Sequence, residues 1–154
     1  MTAIDTPLVV PALRPVYATL SDLADAGVRV AAGLWLVPHA AQKLFGWFGG
    51  YGLGPTAEFF ETQLGFSHGL LAVLGAGSVE LVGGLLLALG LGTRIAAAAI
   101  VALLAVATTV HLGNGFFWTD GGWEYPALWA LVALGYAIRG GGRYSLDRAI
   151  GREI

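Results

Sequence analysis

The sequence predicts an all-α integral membrane protein: a bundle of four transmembrane helices with a short interfacial helix in the first outer loop. Of the 154 residues, 56% are hydrophobic and only 12% are charged, whereas soluble proteins average about 25% charged. The charged residues gather in short flanks between long apolar stretches. Such a chain cannot surround its core with polar surface, so lipid is the expected covering.

Four apolar stretches are the predicted spans, residues 27–44, 70–91, 95–112 and 125–138. The first is polar for a span and is expected to kink at Pro38. The second carries one ionisable side chain, Glu80, close to its middle. Only three residues join the second span to the third, so these two helices must be antiparallel neighbours. The fourth is the shortest, at the lower limit of a span.

The chain divides into a cytoplasmic lead-in, a four-helix membrane domain and a cytoplasmic tail, over residues 1–26, 27–139 and 140–154. Residues 1–10 lack the basic segment of a secretory signal, and prolines interrupt the early apolar run. Thr19 and Asp22 resemble a capping box, which predicts a helix that begins near Leu20 and runs into the membrane.

The basic residues indicate how the bundle is oriented. All seven arginines fall on one side of the predicted bundle or at its edge, and Lys43 lies on the other. Because basic residues favour the cytoplasmic side, both termini are expected in the cytoplasm. The two outer loops are rich in aromatic residues that suit a membrane interface. In the first of these loops, Pro55 and Gly65 are expected to begin and end a helix lying flat on the outer surface.

Six ionisable side chains lie in or at the rim of the predicted bundle: Arg29, His39, Lys43, Glu80, His111 and Glu124. Charges near the middle of a span cost ~2.5–3.5 kcal/mol each, so they usually face the interior and often mark a site. Helical rise puts four of the six near the outer end as candidates for an outward-facing ligand pocket: His39, Lys43, His111 and Glu124. The other two, Arg29 and Glu80, lie deeper and are expected to form an intramembrane charge pair.

Each of these residues also has a purely structural interpretation. Lys43 and Arg29 could extend to the headgroups, Glu124 could be a first-turn acid favoured by the helix dipole, and the histidines could be neutral packing residues. Glu80 is the hardest to explain in this way, because a mid-span carboxylate needs either a proton or a partner.

Composition also excludes several functions. Without cysteine, this chain cannot hold a disulfide, a thiolate metal site or an iron–sulfur cluster, and we predict no metal site. The net charge of −2 and the lack of a basic tract argue against nucleic acid as a partner.

At its polar residues the chain resembles the DoxX family of small bacterial membrane proteins, which is related to the DoxD-type subunit of thiosulfate:quinone oxidoreductase. The resemblance covers roughly residues 29–147. It rests on four motifs, Arg29-x9-His39-x3-Lys43-Leu44-Phe45-Gly46, the glycine-rich stretch 80–90, His111 with the segment 121–125, and Tyr144-Ser145-Leu146-Asp147. The chain departs from the family at residues 38–41, where a glycine more often stands beside the histidine.

The resemblance implies a multi-pass protein of the bacterial inner membrane that is associated with redox metabolism. Our first hypothesis is a membrane subunit of a redox system that binds a quinone-like or other small molecule in the outer pocket and supports electron and proton transfer. The two histidines would then bond the ligand carbonyls, Lys43 would stabilise negative charge, and Glu80 or Glu124 would pass protons. A protein partner in a redox complex would supply the electron carrier. Whether the chain is itself an enzyme stays open.

Two alternatives belong to other classes. One is a noncatalytic scaffold that recruits a soluble oxidative-stress enzyme to the lipid bilayer. The other is a small proton-coupled transporter, favoured if the protein is a homo-oligomer in which two copies form the pathway. The depth of His39 and His111 in the bundle would also allow the two histidines to ligate a haem. We favour a quinone over a haem as the ligand.

The arginine bias generates a topology prediction. A reporter fused at Gly54 or Gly115 should be external, and one at the C-terminus should be cytoplasmic, because positive residues are retained inside. Paired alkaline phosphatase and fluorescent-protein fusions would measure this. A cytoplasmic signal from either loop would contradict the four-helix topology.

Overall fold

A computed structural model describes residues 7–153, so the first residues of the predicted lead-in and the last residue of the tail lie outside the described residues. Residues 7–153 form helices and turns without a strand. The helices are α1 (Arg14–Leu34), α2 (Leu36–Phe45), α3 (Leu53–Thr62), α4 (Gly69–Ser78), α5 (Gly84–Leu89), α6 (Thr93–His111), α7 (Glu124–Arg139) and α8 (Leu146–Ala149). Between α4 and α5 the chain continues as a π-helical segment, Val79–Gly83. The predicted all-α class is confirmed.

The first predicted span is part of a longer, broken helix. α1 begins at Arg14 rather than near Leu20, and no side chain caps it, so the capping-box prediction was wrong. Pro15 lies in the first turn, where its missing N–H and restricted φ suit a helix start. The break falls at Trp35. Pro38 has no backbone N–H, so it cannot donate a hydrogen bond to the carbonyl of Leu34, four residues earlier. The predicted kink is therefore present, one turn before the proline.

Two helices among the described residues are long and apolar enough to cross a membrane. They are Gly69–Leu89, which joins α4, the π segment and α5, and Thr93–Asn114, which is α6 with its following turn. Their most apolar stretches have mean hydropathies of 2.0 and 2.3, and they match the second and third predicted spans. The other two predicted spans do not meet the same criterion: the first is interrupted at Trp35, and α7 has 16 residues.

The helices around these two approach closely through small residues. α1 packs on α5, α2 packs on α4 and the π segment, and α7 lies along α6. At the crossing of α1 with α5, a Cβ atom on Gly33 would lie 2.6 Å from the backbone nitrogen of Ala88, so the two backbones touch. The buried core cluster includes Leu87, Ile100 and Tyr136.

Large apolar side chains cover the outside of the bundle. Leu71 in α4 and Leu131 and Ile138 in α7 are 66%, 66% and 65% exposed. A soluble monomer rarely leaves so much apolar surface in contact with water. Lipid tails would cover this surface at no such cost.

The C-terminal tail is tied to the turn between the second and third spans. The carboxylate of Asp147 accepts hydrogen bonds from the backbone N–H groups of Gly92 and Thr93, at 2.7 and 2.9 Å, and from the Thr93 hydroxyl at 2.6 Å. Burial opposes ionisation of this carboxyl, but these hydrogen bonds and the charge of Arg29 favour the anion, so the pKa of Asp147 lies below its usual value. Asp147 thus caps the start of α6.

Replacing Asp147 with alanine should lower the free energy of unfolding by ~1–3 kcal/mol, because the first turn of α6 loses its acceptors. Since folding lowers the pKa of Asp147, its stabilising contribution is complete above pH ~4 and is lost as the pH falls through the folded-state pKa. The difference in melting temperature between the wild type and Asp147→Ala in detergent should therefore shrink below pH ~4. Asp120→Ala, in an exposed outer turn, is the control. A difference that persists at acid pH would contradict the charged cap.

Candidate functional site

A cavity of about 180 Å³ lies between the helices, where α2 and α6 end and α7 begins. Its wall combines four ionisable side chains with three aromatic rings, His39, Lys43, Glu80, His111, Trp35, Tyr125 and Trp129. Apolar side chains from α1, α2, α6 and α7 complete the lining. Three of the four residues predicted for a ligand pocket are therefore brought together here, and Glu124 is not among them.

An ion pair joins α2 to the π segment inside this cavity. The ammonium of Lys43 donates to both carboxylate oxygens of Glu80, at 2.8 and 3.0 Å. It also donates to the backbone carbonyl of His39 at 3.3 Å. The Lys43 side chain is 24% exposed and that of Glu80 is 9% exposed, so the carboxylate is the buried partner. Glu80 lies in a π-helical turn, a rare conformation that is frequent at functional sites.

The predicted pair of Arg29 with Glu80 is wrong. Arg29 is 1% exposed and donates to the backbone carbonyls of Leu87, Ala88 and Tyr144, at 2.7, 2.6 and 2.6 Å. The last carbonyls of a helix lack partners within it and carry the negative end of its dipole. Those at the end of α5 therefore accept from one terminal nitrogen of the guanidinium without a carboxylate, while its buried Nε has no partner among the described residues. Glu80 is left to Lys43.

His111 reaches the cavity from the end of α6 with one ring nitrogen already engaged. Its Nδ1 lies 2.6 Å from the carbonyl oxygen of Gly121. Because a carbonyl only accepts, Nδ1 must carry the proton, and in the neutral ring Nε2 is then an acceptor. Neutral His111 can accept a hydrogen bond from a ligand hydroxyl, but it donates to a ligand carbonyl only when it is protonated.

Glu124 supports the loop that precedes α7 rather than lining the cavity. It is the first residue of α7, and its carboxylate accepts from the backbone N–H of Trp118 at 3.0 Å. The neighbouring Tyr125 does line the cavity. Glu124 thus supports the loop that precedes the site.

Sequence reasoning missed the three aromatic residues of the cavity. Trp35 and Trp129 meet edge to face with ring centroids 5.0 Å apart, and Tyr125 meets Trp129 at 6.1 Å. A signal was present in their spacing. Trp35 stands four residues before His39, and Trp129 stands four after Tyr125, which places each pair on one helix face.

Two apolar helices long enough to cross a membrane, with an ion pair between helices, are the features expected of a small membrane protein. The sequence model of the DoxX family matches residues 24–112, more than half of the chain. An uncharacterized protein of Haemophilus influenzae is 38% identical over 101 residues, which cover 60% of this chain and 75% of that protein. The chain belongs to the DoxX family. No solved structure matches it.

The ion pair can be tested with a double-mutant cycle. Glu80→Ala should destabilise the protein because Lys43 is left without its partner, and adding Lys43→Met should recover part of the loss, with a coupling of ~0.5–3 kcal/mol. Unfolding free energies in mixed micelles would give this coupling.

The matched control is the same cycle with Arg29→Met in place of Lys43→Met. Because Arg29 bonds to carbonyls instead, its effect should add to that of Glu80→Ala within ~0.5 kcal/mol. Coupling of Glu80 to Arg29 but not to Lys43 would contradict the observed pairing.

Proposed function

We propose that the protein is a four-span membrane subunit of a redox system that binds a small quinone-like molecule in the cavity between its helices. One observation carries the proposal: a single cavity brings the Lys43–Glu80 ion pair together with His39 and His111. Ionisable groups at membrane depth are expensive and are usually kept for function. An apolar cavity with a few convergent polar groups is the usual form of a small-molecule site.

The proposed topology has four spans in the bacterial inner membrane with both termini in the cytoplasm. α7 alone is ~24 Å long by helical rise, short of the ~30 Å hydrocarbon layer. It packs along α6, however, which is long enough to cross. Snorkelling of its terminal residues or local thinning of the bilayer accommodates such a difference. The arginine bias supports the orientation.

The dimensions and charge of the cavity limit the ligand. Drug-sized ligands occupy sites of ~300–1,000 Å³, so about 180 Å³ suits a single ring or a quinone headgroup. The aromatic rings of Trp35, Tyr125 and Trp129 offer edges and faces for such a ring. Because Lys43 and Glu80 neutralise one another, the cavity favours a neutral ligand over an anion.

Reduction of a quinone to a quinol adds two electrons and two protons, and each carbonyl oxygen becomes a hydroxyl. Lys43 would stabilise the negative charge that the first electron places on an oxygen. Protonated His111 would donate through Nε2 and recover its proton when the reaction reverses. Glu80 would relay protons to the site. A soluble partner carrying a flavin or an iron–sulfur cluster would supply the electrons.

Replacing His39 and His111 together with alanine should weaken the binding of duroquinone at least ~tenfold, because two hydrogen-bonding groups leave the cavity. Duroquinone is a neutral single-ring quinone whose ring positions are all methylated, so it does not add to lysine. Equilibrium dialysis against protein in lipid nanodiscs would measure the affinity, and membrane fractionation would confirm insertion. His68→Ala is the matched control, since the third histidine is exposed and lies outside the cavity lining.

Two results would count against the proposal in different ways. Unchanged binding in the double variant would show that the ligand lies elsewhere. Failure of the wild type to bind duroquinone would contradict the quinone-like ligand itself and favour a scaffold that recruits a soluble enzyme.

A further inference from the structure

A groove lies on the surface of the bundle, where the tail meets α1 and the end of α5. Its volume is about 740 Å³. Four of its lining residues are alanine or glycine, Ala26, Gly27, Ala31 and Ala88, so no bulky side chain fills the angle between the two helices. A Cβ atom added at Gly27 would meet no other atom within 4 Å. We call this surface the tail groove.

The tail groove lies among apolar side chains that face away from the core. Val30, Leu89 and Leu146 line it and are 37%, 53% and 42% exposed. Residues 27–31 begin the first predicted span, and Leu89 ends one of the two helices long enough to cross a membrane. The groove therefore lies at the level where acyl chains join their headgroups.

An exposed cation stands at the edge of the groove. Tyr144 lines the groove, and the guanidinium of Arg143 lies 5.8 Å from the centre of its ring. The Arg143 side chain is 65% exposed, and its Nη1 donates to the carboxylate of Asp22 at 3.0 Å. A guanidinium has five N–H groups in a planar fork that matches a phosphate. Arg143 can therefore keep its bond to Asp22 and still donate to a phosphate.

The charges around the groove favour an anion. Arg29 lies behind its wall, is 1% exposed and forms no ion pair with a carboxylate of the described residues. It cannot touch an occupant, but its charge acts through surroundings of low dielectric constant. Seven arginines lie toward this end of the bundle. The carboxylates of the described residues at the same end are Asp22, Asp25, Asp147 and Glu153.

We propose that the tail groove binds an anionic phospholipid, whose phosphate bonds to Arg143 and whose acyl chain lies along Gly27 and Ala31. In the proposed topology this end faces the cytoplasmic leaflet, where anionic lipids attract basic residues. A soluble protein would have to cover apolar surface within the first predicted span, so a lipid fits the groove better. This site is independent of the ligand of the cavity beside Lys43 and Glu80.

Native mass spectrometry can count the bound lipid. Delipidated protein in detergent is given equal amounts of palmitoyl-oleoyl phosphatidylglycerol, which is anionic, and palmitoyl-oleoyl phosphatidylethanolamine, which is zwitterionic and has the same chains. The first lipid retained by the wild type should be phosphatidylglycerol, with a preference of about fivefold, the effect of one arginine near an anionic headgroup.

Two variants separate the groove from its rim. Gly27→Leu should abolish the preference, because the new side chain fills the groove without meeting the protein. Gly75→Leu is the matched control, since Gly75 is also an exposed helical glycine with open space beside it and lies outside the groove lining. Arg143→Gln should lower the preference about fivefold. Its control, Arg152→Gln, changes the net charge equally at an exposed position outside the lining and should preserve it.

The outcomes decide between a built site and the general charge of this end. Equal retention of the two lipids by the wild type would overturn the proposal and leave this face to a protein partner. Equal losses in Arg143→Gln and Arg152→Gln, or full preference in folded Gly27→Leu, would also overturn it. Circular dichroism and gel filtration verify that each variant folds. If Gly27→Leu does not, the two arginine variants and the wild-type preference still decide the question.

Discussion

The rest of the site depends on the ion pair between Lys43 and Glu80. It joins α2 to the π segment of the second predicted span. The ammonium lies 2.8 and 3.0 Å from the two carboxylate oxygens, so each charge has a partner inside the apolar bundle. Removing one partner of such a pair strands the other, which is why buried pairs are costly to break even when they add little net stability. The pair lines the same cavity as the aromatic rings that α7 contributes.

The two ends of the bundle use their polar residues differently. At the end nearest the tail, Arg29 bonds to carbonyls at the end of α5, and Asp147 bonds to amides at the start of α6. Each charge faces the helix end of opposite dipole sign, so these contacts join α1 and the tail to the turn between α5 and α6. At the other end, the Lys43–Glu80 pair links α2 to the π segment beside the cavity.

Much of the site was predictable, because its ionisable residues are conspicuous in apolar stretches. Helical rise placed His39, Lys43 and His111 at one depth, and these three line the cavity. The partner of Glu80 was not predictable in the same way. Depth is counted along a helix, whereas pairing depends on how each helix is rotated and on the break at Trp35. Backbone carbonyls that can satisfy Arg29 also leave no mark in a sequence.

The sequence by itself determined the helical class, the two apolar helices of membrane length and the polar residues set within the predicted spans. These properties follow from local hydropathy and periodicity, which depend on side chains a few positions apart. Only the tertiary structure decided that Glu80 pairs with Lys43, that Glu124 supports a loop, and that Trp35, Tyr125 and Trp129 meet in the lining of one cavity. Such contacts join residues far apart in the chain, and they exist only once the helices have packed and the rotation of each has been settled by its neighbours.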